Sequence, residues 1–384
     1  MSKSRICHVT LGHDARDDRI FYKEAVSLRK VYEKVTVLAP GSGGEQVVAG
    51  VKIMPVRAGR SMLSTVWRLW RAARAERARC YHLHEPQLLP LALLLRGCCR
   101  VRIVYDIHEH LPEMLADFSN RSRAVTAVWA RFLTLAERWL ILLSDAVLVT
   151  SELLLRRYGK GHRKVVAIYN YPRPALFSKS CEVPPRLMQK YKGDRIILYH
   201  GQLARVRDLA TVIQATKRAA DRVANLKLLL LGPVFGAGYR GELIRLIERE
   251  QVQPLVELLD PVPHPAVPVY LALAEVGLVV LPSLSVFRPS LPIKLFECMS
   301  SGLPVIGSRL PALQKVIRRA GCGLLVEPSD ADSLAEAIVY LLTHPREAAR
   351  MGRRGRQAVR DIYNWKRMEE RLFAVYSKVI GRPC

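Results

Sequence analysis

Residues 278–308 read LVVLPSLSVFRPSLPIKLFECMSSGLPVIGS. The apolar, β-prone run Leu278–Leu281 stops at Pro282, and a Ser/Pro/Arg loop with Arg288 follows. Ile293–Ser300 has helical character, Gly302 and Pro304 break it, and a second apolar run starts at Val305. This pattern predicts strand, loop, helix, turn and strand. In a parallel α/β sheet, that order sets the loop and the helix start at the carboxyl ends of the strands, where such folds bind ligands. Lys294 in the first helical turn suits a phosphate, and Glu297, one turn on, can accept hydrogen bonds from ribose hydroxyls. A capped helix with a solvated Lys and Glu accounts for the spacing equally well.

Upstream, the second half of the chain starts afresh. RIILYH (Arg195–His200) reads as a strand, Gly201–Asp208 as a loop and Leu209–Ala220 as a helix. Gly201 lets the backbone approach a ligand, and Arg205 and Arg207 precede a helix N-terminus, a natural phosphate position. Strands follow at Leu226–Leu231 and Val256–Leu258, and His264 sits in the Pro-rich loop 260–268. Downstream, Gly323–Val326 is a strand, and 331–343, 346–361 and 364–379 are helical.

The first half opens β-α-β: Ile6–Leu11, a helix from Asp17-Asp18-Arg19 to about Lys30, and Lys34–Ala39. Phe21, Ala25 and Leu28 form the inner stripe of that helix, which leaves Glu24, Ser27 and Lys30 for its outer face. No G-x-G-x-x-G follows the first strand, which counts against a dinucleotide fingerprint. YHLHEP (81–86) and YDIHEH (105–110) end strands in His and carboxylate residues and suggest a cleft. These residues suit acid/base work or metal binding, but helical HxxxH spacing is missing and Pro112 follows at once, so no metal is expected. The prolines in 172–192 mark a boundary: 1–172 with 364–384 as one domain, 173–192 as linker and 193–363 as the other.

The net charge of +26 is the outstanding fact of composition, and 52–102 is its densest part. It implies an anionic partner. The 63–79 helix sets Trp67 and Trp70 at the edge of a face bearing Arg68, Arg71 and Arg74, so it suits an anionic membrane surface. The run Leu88–Leu95, rimmed by Arg96, Arg100 and Arg102, adds an apolar patch there. Solvated arginines over a packed helix are the plainer account. No apolar run approaches membrane-spanning length. Eight scattered cysteines without CxxC, and the lack of a leader-like segment before Ile6, predict reduced thiols and a cytoplasmic protein.

In this order the segments resemble the retaining glycosyltransferases of family four. His13–Phe21 is similar to the family's acceptor-side loop, and YHLHEP and YDIHEHLPE to its histidine-bearing strand ends. Asn170–Pro172 looks like the end of its first domain, HGQLARVRDL like its phosphate loop, and the segment around His264 like its base-binding stretch. SLPIKLFECMSSGLPVIGS looks like its donor motif. The resemblance implies an α/β GT-B fold: two Rossmann-like domains facing a central cleft, with a C-terminal helix crossing back. It implies a nucleotide-sugar donor, UDP-sugar before GDP-sugar, and a lipid-linked or surface-glycan acceptor at the inner face of the membrane, with no metal, cofactor or nucleic acid. By that resemblance Glu297 holds the ribose, and Arg205, Arg207 and Lys294 neutralise the diphosphate. Gly201 and His264 also border the donor, and His108 faces its sugar. His13, Arg19, His84 and Glu109 stand on the acceptor side. Two departures matter. Pro289 stands where the family has an earlier glutamate, as in its Leu-Pro-x-Lys variant, and Arg207-Asp208 stands where Lys-Gly is usual. An epimerase or hydrolase of this fold and a non-catalytic basic binding protein are the competing readings.

Overall fold

The computed structural model describes residues 4–108, 122–160, 164–173, 177 and 182–381. The chain forms two compact units, Met1–Asn170 with Trp365–Cys384 and Tyr171–Asn364.

The strands of the first unit are β1 (Arg5–Val9), β2 (Lys34–Pro40), β3 (Gln46–Val48), β4 (Val51–Val56), β5 (Cys80–Leu83), β6 (Arg102–Ile107), β7 (Ala146–Val149) and β8 (Val165–Ala167). They form one sheet in the order β3-β4-β2-β1-β5-β6-β7-β8, parallel except for the edge strand β3. The order reverses between β1 and β5, where His8 pairs with His82 and Val9 with Leu83. Helices Met62–Glu76, Leu89–Cys98 and Arg123–Leu143 pack side by side in that order.

The second unit carries β9 (Arg195–His200), β10 (Leu203–Ala204), β11 (Leu226–Leu231), β12 (Val234–Phe235), β13 (Val256–Leu259), β14 (Val276–Val279), β15 (Val305–Ser308) and β16 (Gly323–Val326). Its six-stranded parallel sheet runs β13-β11-β9-β14-β15-β16. Counted by appearance that is 3-2-1-4-5-6, the Rossmann order, with its switch point between β9 and β14. Near-continuous runs such as LKLLLL (226–231) suit strands covered on both faces. The buried Leu228, Leu230, Val212, Ile213, Leu334 and Ile338 belong to one core.

Several expectations change. The first helix begins as a π-helix, Asp18–Ala25, and continues as Val26–Arg29. Glu24 and Ser27 are buried rather than outward: Glu24 Oε1 lies 3.0 Å from Arg19 Nη2, and Ser27 Oγ accepts from Trp365 Nε1 at 2.9 Å. The wider turn, a partner within the same helix and one from the C-terminal helix override the 3.6-residue period. Leu88–Leu95 is no surface patch. It enters helix Leu89–Cys98 with Leu88, Leu91, Ala92 and Leu95 in the core. Trp70 likewise belongs to the core at 8% exposure, while Trp67 stays 51% exposed; Arg68, Arg71 and Arg74 are exposed. Pro185–Lys190, inside the expected linker, is helical, because proline at a helix start forfeits no intrahelical hydrogen bond. Helix Pro311–Ala320 was not foreseen; its three buried apolar residues, Leu313, Val316 and Ile317, sit among basic ones.

Candidate functional site

At the switch point of the second unit, β9 ends at His200 and Gly201 turns the chain at φ +112°. A Cβ on Gly201 would meet nothing within 4 Å, so glycine is needed there for its φ. On the neighbouring strand end Gly232 has φ +145°, and a Cβ there would lie 2.1 Å from the Gly201 carbonyl oxygen. Gly232→Ala should therefore cost about 2–4 kcal/mol of stability in urea unfolding. A loss below about 1 kcal/mol would show that the loop adjusts freely.

The loop then delivers Arg205–Arg207 as one tight turn and Asp208 at φ +55°. Asp tolerates this left-handed conformation better than most residues, and its carboxylate accepts from Thr211 Oγ1 at 2.8 Å. The two arginines part company. Arg205 is exposed and bound in bidentate fashion by Glu242, with Nε at 2.8 Å from Oε2. Arg207 donates to the Gln202 amide oxygen at 3.2 Å and lies over the Phe287 ring. Lys294 is buried with Nζ 3.5 Å from the centre of the Tyr199 ring. Its pKa is pushed well below the usual lysine value by burial and then by Arg207. Among the described residues, neither Arg207 nor Lys294 is within ion-pair distance of a carboxylate.

Glu297 lies one helical turn beyond Lys294 in helix Ile293–Ser301 and is buried. Its Oε2 is 2.8 Å from His200 Nε2, and its Oε1 is 2.7 Å from His264 Nε2. Burial raises its pKa, but the two histidine hydrogen bonds outweigh that and hold it at about 2. Each oxygen keeps a second lone pair for a ligand hydroxyl. The structure thus brings Gly201, Arg207, His264, Lys294 and Glu297 together and directs Arg205 elsewhere. The sequence reading missed His200, although its place as the last residue of β9 is a signal.

At the switch point of the first unit a second polar cluster forms. Arg19 grips Asp106 with Nε to Oδ2 and Nη2 to Oδ1, both at 2.7 Å, and donates to the Ile168 carbonyl at 3.0 Å. Burial lowers the Arg19 pKa, but Asp106 and Glu24 more than offset it and raise it. His108 Nδ1 lies 3.1 Å from Asp106 Oδ2, and its Nε2 lies 2.9 Å from His13 Nε2. Glu85 accepts from the Leu11 and Gly12 amides at 3.0 and 3.2 Å, which fixes the turn that carries His13. His13, His84, Glu85, Gln87, His108 and Glu137 help line a cavity of about 150 Å³. His13, His84 and His108 are thus brought together, whereas Arg19 is a buried support beneath them. Glu109 lies outside the described residues. Asp106 and Glu85 were read only as part of the runs 105–110 and 81–86, and Glu24 as an outward residue of the first helix.

His8, Glu24, His82 and His84 bring four ligand-type atoms within 4.8 Å of one another, and His84, Asp106 and His108 do the same. The Arg19 guanidinium already lies against both Asp106 and Glu24, so the buried carboxylates have a built-in counter-ion.

Residues 23–170 match the family described as "Glycosyl transferase 4-like domain", and residues 186–358 match "Glycosyl transferases group 1". Among curated proteins, an 87-residue segment is 39% identical to MMP alpha-(1->4)-mannosyltransferase of Mycolicibacterium hassiacum, covering 22% of this chain and 21% of that protein. The chain spans between about a fifth and three fifths of the length of the first curated relatives it matches. Among solved structures, sucrose-phosphate synthase from Thermosynechococcus elongatus superposes with a TM-score of 0.80 at 18% identity over 98% of both chains. Anabaena HepE, solved with UDP-glucose, superposes with a TM-score of 0.76 at 15% identity over 97% of this chain and 99% of that one. The chain therefore joins a glycosyl transferase 4-like domain to a glycosyl transferases group 1 domain and has the GT-B fold.

Proposed function

We propose that this protein is a retaining glycosyltransferase that takes a sugar from a nucleotide-sugar, a UDP-sugar in the first instance, to a hydroxyl of a lipid-linked or surface-glycan acceptor at a membrane. The observation that carries the proposal is the pair Lys294 and Arg207. These cations have no carboxylate partner among the described residues and stand beside Glu297 at the switch point of a Rossmann sheet. Such a pair suits a diphosphate, and Glu297 suits the ribose hydroxyls. The bond from the sugar's anomeric carbon to phosphate oxygen breaks, and a bond to the acceptor oxygen forms on the same face. The acceptor's proton passes to an oxygen of the departing diphosphate. Lys294, Arg207 and the N-terminus of helix Ile293–Ser301 stabilise the charge that develops. In this reading they take the place of a divalent cation, and turnover persists in chelator. The six described cysteines are free thiols, which suits the reducing, inner side of the membrane.

The test is a thermal-shift screen of the purified chain against UDP, GDP and their sugars, followed by Glu297→Ala. At least one nucleotide should raise Tm, and the variant should lose about tenfold or more in affinity for it. The absence of any nucleotide response would overturn the reading. Conversion of a sugar nucleotide without an acceptor would instead indicate an epimerase or hydrolase.

A further inference from the structure

The buried residues of helix Arg123–Leu143 lie in its C-terminal half. Ala136, Glu137, Leu140 and Ile141 are buried, whereas none of the residues from Ala124 to Leu135 is. That stretch is not polar. Val128, Phe132 and Trp139 are 68, 58 and 60% exposed, and Val125, Leu135 and Leu142 are also among the exposed large apolar residues. At about 3.6 residues per turn they form one stripe, and the exposed Arg131 and Arg138 fall along its edge. The helix's one acidic residue, Glu137, is buried on the other side beside Tyr105 and Tyr158. Next to the stripe opens a cavity of about 510 Å³ lined by Thr134, Arg138, Ile141, Leu142, Arg157, Tyr158 and Lys160. Three cations thus stand over an apolar floor, and none of the described lining residues is a carboxylate.

We propose that helix Arg123–Leu143 docks in the headgroup layer of an anionic bilayer, with its apolar stripe immersed and a lipid phosphate held by Arg138, Arg157 and Lys160. Charge selects this occupant. A chain of net charge +26 with a cationic rim on this face repels a second copy of itself, whereas an anionic lipid surface matches both rim and stripe. Trp139 has the amphipathic ring favoured at that depth. Among the described residues no helix is long and apolar enough to cross a membrane, so the contact is with one leaflet. The assignment moves the membrane surface from helix Met62–Glu76, whose Trp70 is core, to the helix two places along the same layer. It rests on the reading that the acceptor is presented at a membrane.

The experiment is flotation of the full chain with vesicles of phosphatidylcholine alone or mixed with phosphatidylglycerol, alongside its UDP-induced thermal shift. The wild type should float with the phosphatidylglycerol vesicles. Phe132→Asp with Trp139→Asp should reduce partition about tenfold or more. Arg138→Glu with Lys160→Glu should abolish the preference for anionic lipid. Arg68→Ala with Arg71→Ala and Arg74→Ala should stay within about twofold of the wild type. An unchanged UDP shift shows each variant folded, and a lost UDP response with intact flotation would sink the donor reading alone. Undiminished flotation of the Asp variant, loss confined to the Arg68/Arg71/Arg74 variant, or a wild type that ignores both vesicles would overturn the proposal. So would a dimer in sedimentation that Phe132→Asp dissolves, since that assigns the face to a second copy.

Discussion

Arg19→Ala should cost about 3–5 kcal/mol of folding stability at neutral pH, read from urea unfolding followed by circular dichroism. Arg19 is 4% exposed and is held by both oxygens of Asp106 and by Glu24, themselves fully buried. Removing it leaves Asp106 in a desolvated site without the guanidinium that holds both its oxygens, and the penalty is that of the stranded carboxylate rather than the worth of the pair. The pH dependence checks the cause. Burial raises the pKa of Asp106, but Arg19 and the histidines outweigh it and hold the group well below the usual range. Without Arg19 burial prevails at Asp106 as it already does at Glu24, whose pKa burial raises well above the usual carboxylate range even beside Arg19, so the folded-state Asp106 pKa rises above the unfolded one. Protonation then relieves the strain, so the deficit should shrink as pH falls from about 7 toward about 5. A loss below about 1 kcal/mol, or one that grows on acidification, would contradict this account. Lys30→Ala, which breaks the exposed pair to Glu369, should cost under about 1 kcal/mol.

Lys294→Met should weaken nucleoside diphosphate binding by about 10- to 100-fold, or about 1.4–2.7 kcal/mol, while making the free protein more stable. The two effects share one origin. Burial and Arg207 disfavour the charged form of Lys294, so its ammonium is a cost until an anion arrives. The sign follows. Because the folded pKa is depressed, the lysine loses its proton below its ordinary titration range, and a bound diphosphate draws that proton back. Binding to the wild type should therefore take up protons, and affinity should fall as pH rises through the depressed pKa. Calorimetry in buffers of different ionisation enthalpy measures the uptake directly. Equal enthalpies in all buffers, or a Met variant that binds normally, would remove Lys294 from the site.

Local patterns carried much of the fold. The apolar runs of β9, β11 and β14 and the punctuation by Gly201, Gly232 and Gly302 are visible in the chain itself, as is the one-turn spacing of Lys294 and Glu297. What escaped is long-range. His200 meets Glu297 across 97 positions and Arg19 meets Asp106 across 87, and no period announces such pairs. Arg205 and Arg207 are alike as letters, and only the place of Glu242 on a later helix separates a tied arginine from an available one. Helix Arg123–Leu143 marks a different limit. It has apolar residues on two faces, Ala136, Leu140 and Ile141 inward and Val128, Phe132 and Trp139 outward, and sequence does not say which face finds a partner.

The helix Trp365–Ile380 belongs to the first unit: Trp365 bonds Ser27, and Tyr376 Oη lies 2.9 Å from Nδ1 of the buried His82. The ribosome makes this piece only after the whole of Tyr171–Asn364. The unit begun first therefore cannot close its core until the unit begun second has emerged, so the order of completion reverses the order of synthesis. Until then Ser27 and the sheet face around His82 lack the Trp365 and Tyr376 contacts that cover them. A nascent chain stalled before Trp365 should show protease resistance in the second unit and not in the first.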